Sequence, residues 1–384
     1  MLPAPSRAQR TALPPETLDP EPGPGSAAIA TGAPPAPASA PRASAPAAKP
    51  RDPYFDNVKY LAIVLVAVAH SWEPVMGDSR AARAVYMIIY TFHMPAFILV
   101  SGHFSRSFDA SPGRMKRLVT GVAVPYVVFE TAYSLFRRYA GGEPDAPITL
   151  LDPLFLTWFL AALLIWRLTT HLWRTLRHPL PVALAVAALA SVSPGIGNDL
   201  DLQRVLQFLP FFVLGVLARP EHFVRVRRRE VRLLALPLFA AALAFAYAVA
   251  PHLQLGWFYR SDSAQELGAP WWSGVTMTLL MFGCALLLTA GFLSWVPART
   301  TWFTKLGAGT ICGYLLHGFL IRGAEYAGLI DGNAWLSGPA GLALVAVMAA
   351  VAVTLLCTPP VRRVMRFATE PDMAWAFRRS PAGR

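Results

Sequence analysis

Apolar runs recur from about residue 57 to about residue 357, and short polar or basic stretches separate them. A run of this kind reads as a helix crossing a hydrocarbon core roughly 30 Å thick. The pattern predicts spans at roughly 57–76, 84–104, 117–136, 152–172, 179–194, 203–218, 232–250, 270–295, 306–322 and 335–357. The fifth, sixth and ninth are short for a crossing, which marks them as the ones to be tilted or re-entrant. The expected fold is all-α: a polytopic membrane protein with about ten transmembrane helices in one bundle. Ahead of it, residues 1–52 are mostly Pro, Ala, Ser and Gly. That composition is too poor in large apolar side chains to offset chain entropy, so the segment reads as a disordered tail. The organisation is then a tail over 1–52, a transmembrane domain over 53–366 and a basic tail over 367–384.

Composition excludes a pair of soluble domains, because 55% of the residues are hydrophobic and only 15% are charged. The net charge of +12 does not signal nucleic acid. Its Lys and Arg residues sit mainly in short loops between apolar runs, the pattern that sets membrane orientation. Loops on the side of the N-terminal tail, such as Arg114 to Arg117 and Arg225 to Arg232, are richer in these residues than the opposite loops. That asymmetry predicts an integral protein of the cell (plasma) membrane with both termini cytoplasmic. Cys284, Cys312 and Cys357 lie in apolar runs without C-x-x-C spacing, so they read as small core residues, and no metal site is expected.

Candidate chemistry begins in the first span, Asp56 to Glu73, where Asp56 or Asn57 is expected to cap the helix start. Lys59 and His70 share one face of that helix. Eleven residues at about 100° each return the side chain to within roughly 20° of its starting direction, about 16 Å further along. Ionisable groups at membrane depth usually face a protein interior or a wet cavity. Glu73, one turn after His70, either orients the imidazole as in a general base or faces water at the helix end. His93 lies beside Pro95 in the second span, with Ser101 further on; Pro95 removes a helix hydrogen bond and is expected to bend the helix. His93 serves either the cavity or a contact between helices. Arg114 and Arg117 open the third span on one helix face, where two guanidinium forks can grip phosphate together or simply mark the boundary. Glu130, in the same span, has no evident partner and reads as cavity-facing. Trp158 in the fourth span and His317 in the ninth add an aromatic wall and another membrane histidine.

Taken together, these pieces resemble the acyltransferase 3 family of integral membrane acyltransferases, and within it the branch described as fucose 4-O-acetylase-like. The resemblance covers about residues 54–357. It is carried by Asp56-Asn57-x-Lys59 with His70 beyond it, Phe-His-Met-Pro-x-Phe at 92–97, Ser101-Gly102-x-Phe104, Arg114-x-x-Arg117, Trp158-Phe159-Leu160 and Tyr314-x-x-His317. The resemblance implies transfer of an acyl group, most often acetyl, from cytoplasmic acyl-CoA to a hydroxyl of a sugar, glycan or similar acceptor. It implies His70 as the catalytic residue and Arg114 with Arg117 as contacts to the donor. Lys59 stands where the family pattern more often has Arg, which loses a bidentate fork. The competing expectation is a proton-coupled transporter or flippase, since intramembrane His and Glu suit that role as well. No pair of corresponding interrupted helices points that way.

Overall fold

The computed structural model describes residues 52–377 except 78, 198, 331 and 332. The expected tail up to residue 51 and the end of the basic tail, 378–384, lie outside the described residues. Among the described residues there is helix and no strand. A helix lies in each predicted stretch: α1 Pro53–Trp72, α2 Arg80–Ser105, α3 Pro112–Tyr139, α4 Trp158–Leu168, α5 Pro179–Ser191, α6 Leu202–Leu217, α7 Arg229–Val249, α8 Trp271–Trp295, α9 Thr310–Tyr326 and α10 Pro339–Leu356. Of these, α2, α3, α6 (with the turn before it), α7, α8 and α10 are long and apolar enough to cross a membrane. The protein is thus a polytopic helical membrane protein.

Helix direction alternates along the chain. At the Pro53 end of the bundle, the Tyr54 hydroxyl donates to the Leu293 carbonyl at 3.0 Å, and Arg232 Nε donates to the Ser294 carbonyl at 3.1 Å. At the Trp72 end, Trp72 Nε1 donates to the Leu342 carbonyl at 3.0 Å, and Arg80 Nε donates to the Tyr247 carbonyl at 2.6 Å. The interior is built on α1, α2 and α6, whose apolar faces are buried. By contrast, α7 and α10 expose Leu233, Leu234, Phe245, Val347, Met348 and Val351. Outward apolar side chains are stable only against lipid or a partner, which agrees with a bilayer setting.

Three local expectations are corrected. Asp52, not Asp56 or Asn57, caps α1: its carboxylate accepts from Tyr54 N at 3.0 Å, and Pro53 takes the first helical position, where no amide hydrogen is needed. Asn57 instead lies inside the helix and donates to the carbonyls of Pro297 and Arg299 at 2.8 and 3.0 Å. Cys284 is exposed, whereas Cys312 and Cys357 are buried. The predicted fourth span begins too early, since 152–157 is not helical and α4 starts only at Trp158. Pro95 lies inside α2, which stays helical to Ser105.

Close backbone packing joins α2 to α6. A Cβ on Gly102 would meet the Phe212 carbonyl and come within 3.0 Å of Gly215 Cα, and one on Gly215 would meet the Leu99 carbonyl. Small residues let two backbones approach in this way. Gly215→Val is therefore expected to destabilise the detergent-solubilised protein by about 1–3 kcal/mol, the usual range for overpacking. Gly283→Ala, where a Cβ meets nothing within 4 Å, is the control and should leave the melting temperature unchanged or slightly higher.

Candidate active site

Three histidines from three helices gather inside the bundle toward its Trp72 end. His70 near the end of α1 stacks on His317 of α9, with ring centroids 5.5 Å apart, and lies 6.4 Å edge-on from His93 of α2. His70 Nδ1 and His317 Nε2 are 3.3 Å apart. The proton positions follow from the neighbours. His317 Nδ1 lies 2.9 Å from the Gly313 carbonyl, which only accepts, so Nδ1 carries the hydrogen. In the neutral ring its Nε2 is then an acceptor, and His70 must donate to it from Nδ1. The lone pair of His70 is left on Nε2, for which no hydrogen-bond partner is found among the described residues. The same reasoning applies to His93, whose Nδ1 lies 2.8 Å from the Ile89 carbonyl.

The histidines face the third in a string of four cavities. At the Pro53 end, a cavity of about 330 Å³ is lined by Arg114, Arg117, Ser105, Phe108 and Arg167, among others. It shares Phe104 and Arg167 with a cavity of about 320 Å³ that holds Lys59, Ser101 and mostly apolar walls. That one shares Val66, Met94 and Tyr314 with the cavity of about 240 Å³ where His70, Glu73, His93 and Trp158 lie. Phe155 and Arg322 in turn line both the histidine cavity and a fourth, of about 290 Å³, beside Tyr133, Arg137 and Tyr326. The backbone geometry helps open this route. Residues Val119–Ala123 of α3 wind as a π-helix, and a Cβ on Gly121, which lines the Lys59 cavity, meets nothing within 4 Å.

Most of the residues singled out from sequence thus lie along one route, in a different arrangement from the one expected. Glu73 lines the histidine cavity, but no hydrogen bond joins it to His70 among the described residues, and the ring partner is His317. The physical reason is direction: Glu73 caps the end of α1 with an exposed side chain, while His70 Nδ1 turns toward α9. Lys59 is held by Asp56 at 2.7 Å, so its charge is compensated. Trp158 stacks on Phe208 with centroids 5.6 Å apart and supports the Arg204 guanidinium. Asp109 sits 3.6 Å from Arg114 Nε, and its carboxyl is held below the ordinary Asp range, chiefly by hydrogen bonds from Ser111.

Residues that the sequence reading passed over also line the route. Arg167 falls within the predicted span 152–172 and lines two of the cavities, and the rule that singles out Glu130 applies equally to it. Arg204 and Arg322 line the histidine cavity and are each paired, with Asp201 and with Glu325, both at 2.7 Å. Tyr314 stands between the Lys59 and histidine cavities, its hydroxyl donating to the Leu156 carbonyl.

A family model described as an acyltransferase domain, acyltransferase 3, matches residues 52–358. No curated protein and no solved structure matches the chain.

Glu130 is the other correction. It is fully buried and lines none of these four cavities; one carboxylate oxygen accepts from Leu154 N at 3.0 Å and from the Thr157 hydroxyl. Its partners lie on the turn before α4, which no spacing within α3 reveals. Between those two contacts Phe155 adopts a left-handed backbone (φ 53°), a conformation that a bulky residue holds only when its surroundings enforce it. The Phe155 ring lies 5.1 Å from that of His70. Glu130→Ala leaves the Leu154 amide unmatched, while the Thr157 hydroxyl keeps the Leu154 carbonyl as acceptor at 2.9 Å, and should destabilise the protein by roughly 1–3 kcal/mol. Glu130→Gln keeps an oxygen there, and its melting temperature should fall much less.

Proposed function

Since the chain belongs to the acyltransferase 3 family of membrane acyltransferases, we propose that it carries an acyl group, acetyl in the first instance, from acyl-CoA to a hydroxyl of a sugar, glycan or similar acceptor. The observation that supports this most is the unbroken sequence of shared walls from Arg114 and Arg117 to His70. A nucleotide thioester has a matching layout. Its phosphates suit the arginine-lined cavity, its flexible arm suits the apolar cavity around Ser101, and its thioester then reaches the histidines. Lys59, neutralised by Asp56, lines the arm's path rather than gripping phosphate. With the orientation expected from the loop charges, the arginine end is cytoplasmic, where acyl-CoA is made. The acceptor arrives past Phe155 and Arg322 from the opposite side.

In this reading His70 Nε2 takes the proton of the acceptor hydroxyl as its oxygen attacks the thioester carbonyl. The tetrahedral adduct collapses with cleavage of the C–S bond, and the imidazolium returns the proton to the leaving thiolate. The products are the ester and free CoA. His317 is the positioning residue: its Nε2 accepts from His70 Nδ1, which holds the basic nitrogen toward the cavity and favours the imidazolium as it forms. Glu73 contributes negative charge in the same cavity. Trp158 and His93 shape the wall.

His70→Ala is expected to lower kcat by at least about 10²–10⁴, the range for loss of a general base, in membranes given labelled acetyl-CoA and acceptor. Unchanged turnover in that variant would remove His70 from the reaction, and acceptor flux without any donor would favour the carrier reading. Replacing Arg114 or Arg117 with Ala should raise KM for acetyl-CoA and leave KM for the acceptor within about twofold, since each charged hydrogen bond is worth roughly 1.5–3 kcal/mol. Gly121→Leu should also raise the donor KM, by filling the arm's path.

A further inference from the structure

The donor cavity and the arm cavity meet at one cation. Arg167 projects from α4 and lines both. Its Nε donates to the Ser105 hydroxyl at 3.1 Å, and Ser105 in turn donates to the Ser101 carbonyl at 2.7 Å, so one edge of the guanidinium is held in place. The other four N–H groups have no protein acceptor among the described residues, and no carboxylate lies within ion-pair distance of Arg167 there. A guanidinium inside a membrane bundle without a counter-charge is costly, and such groups usually await an anion or face water. The outer arginines differ from it in surroundings. Arg114 has Asp109 at 3.6 Å from Nε while its Nη1 is buried with no partner, and Arg117 is exposed at the outer rim. Two anion positions are therefore built in sequence, one at the mouth and one at the neck.

We propose that Arg167 forms a second phosphate subsite that grips the pyrophosphate of the donor at the neck, while Arg114 and Arg117 hold the phosphate on the ribose. This assignment rests on the acyl-CoA reading and adds a register to it. With the pyrophosphate fixed at Arg167, everything beyond the neck is neutral: the pantetheine arm, the thioester and the acyl group, which matches the apolar walls there. Arg167 is a binding and positioning residue, because it sets how far the thioester reaches toward His70. The planar fork suits a diphosphate, which Lys would contact only as a point charge.

The test crosses donor truncation with mutation in the full-length protein. Acetyl-CoA, its 3′-dephospho form and acetyl-pantetheine, which lacks the diphosphate, are compared as donors. Arg167→Met and Arg167→Lys should each raise KM about tenfold or more for the first two donors, the loss of one charged contact. For acetyl-pantetheine they should match wild type within about twofold. Arg114→Ala should be impaired with acetyl-CoA alone. In detergent, CoA at one concentration should raise the melting temperature of wild type more than that of Arg167→Met, whose unliganded melting temperature should be no lower than wild type because an unpaired cation has been removed. An equal penalty on all three donors, or a lower unliganded melting temperature with unchanged KM, would show a purely structural arginine and overturn the proposal. A penalty that vanishes with the 3′-dephospho donor would move Arg167 to the outer site and overturn it too. If wild type uses none of the three donors, the acyl-CoA reading falls and this subsite falls with it.

Discussion

Polar groups placed inside a membrane bundle have no bulk water to fall back on, so each must find a partner in the protein or in whatever fills the cavities. That constraint organises the molecule. Along the interior, His317 leans on the Gly313 carbonyl, His70 leans on His317, His93 leans on Ile89, and Lys59 leans on Asp56. Followed from Gly313 through His317 to His70, the links leave one ring nitrogen over, Nε2 of His70. A carboxylate in the place of His317 would bind His70 more strongly, but it would bring a charge to be compensated at depth. A neutral imidazole anchored by a backbone carbonyl directs the tautomer without that penalty.

The cavities exist because other parts of the bundle are packed hard. Gly102 and Gly215 let α2 and α6 touch backbone to backbone, and the aromatic stacks of Trp166 on Phe212 and Tyr133 on Phe319 act as struts between helices. Space is then left where the π-helical turn of α3 displaces its own wall. The outer helices α7 and α10 contribute little to the interior. Their exposed apolar faces are suited to lipid, so the functional core is carried mainly by α1, α2, α3, α4, α6 and α9.

Helix positions were legible in the sequence because apolar runs report directly on the hydrocarbon core. Lys59 and His70 could be placed on one face by helical geometry alone. Other features required the third dimension. His70 and His317 are 247 residues apart in the chain, and nothing in either local pattern points to the other. Glu130 reads as a cavity group from sequence because its partners, Leu154 and Thr157, lie in the non-helical stretch ahead of α4, inside the predicted span 152–172. Asp52 before Pro53 did carry a capping signature, but Asp56 and Asn57 competed for the same role. Arg167 was masked by its position near a span end, where positive charge ordinarily reports orientation.

Charge changes character along the route, and this separates binding from chemistry. Around the histidines each guanidinium is matched, Arg204 by Asp201 and Arg322 by Glu325. Toward the Pro53 end, Arg167 and Arg117 have no carboxylate within ion-pair distance among the described residues, and Arg114 has only a distant one. Uncompensated positive charge is thus concentrated at the mouth and neck, and the arginines beside the histidines are paired. A donor with its charges at one end and a neutral thioester at the other is held in a single direction by that gradient. A ligand carrying an anion at both ends would have to leave one of them unmatched beside paired arginines. Which arginines have partners would thus set the direction in which the proposed donor lies.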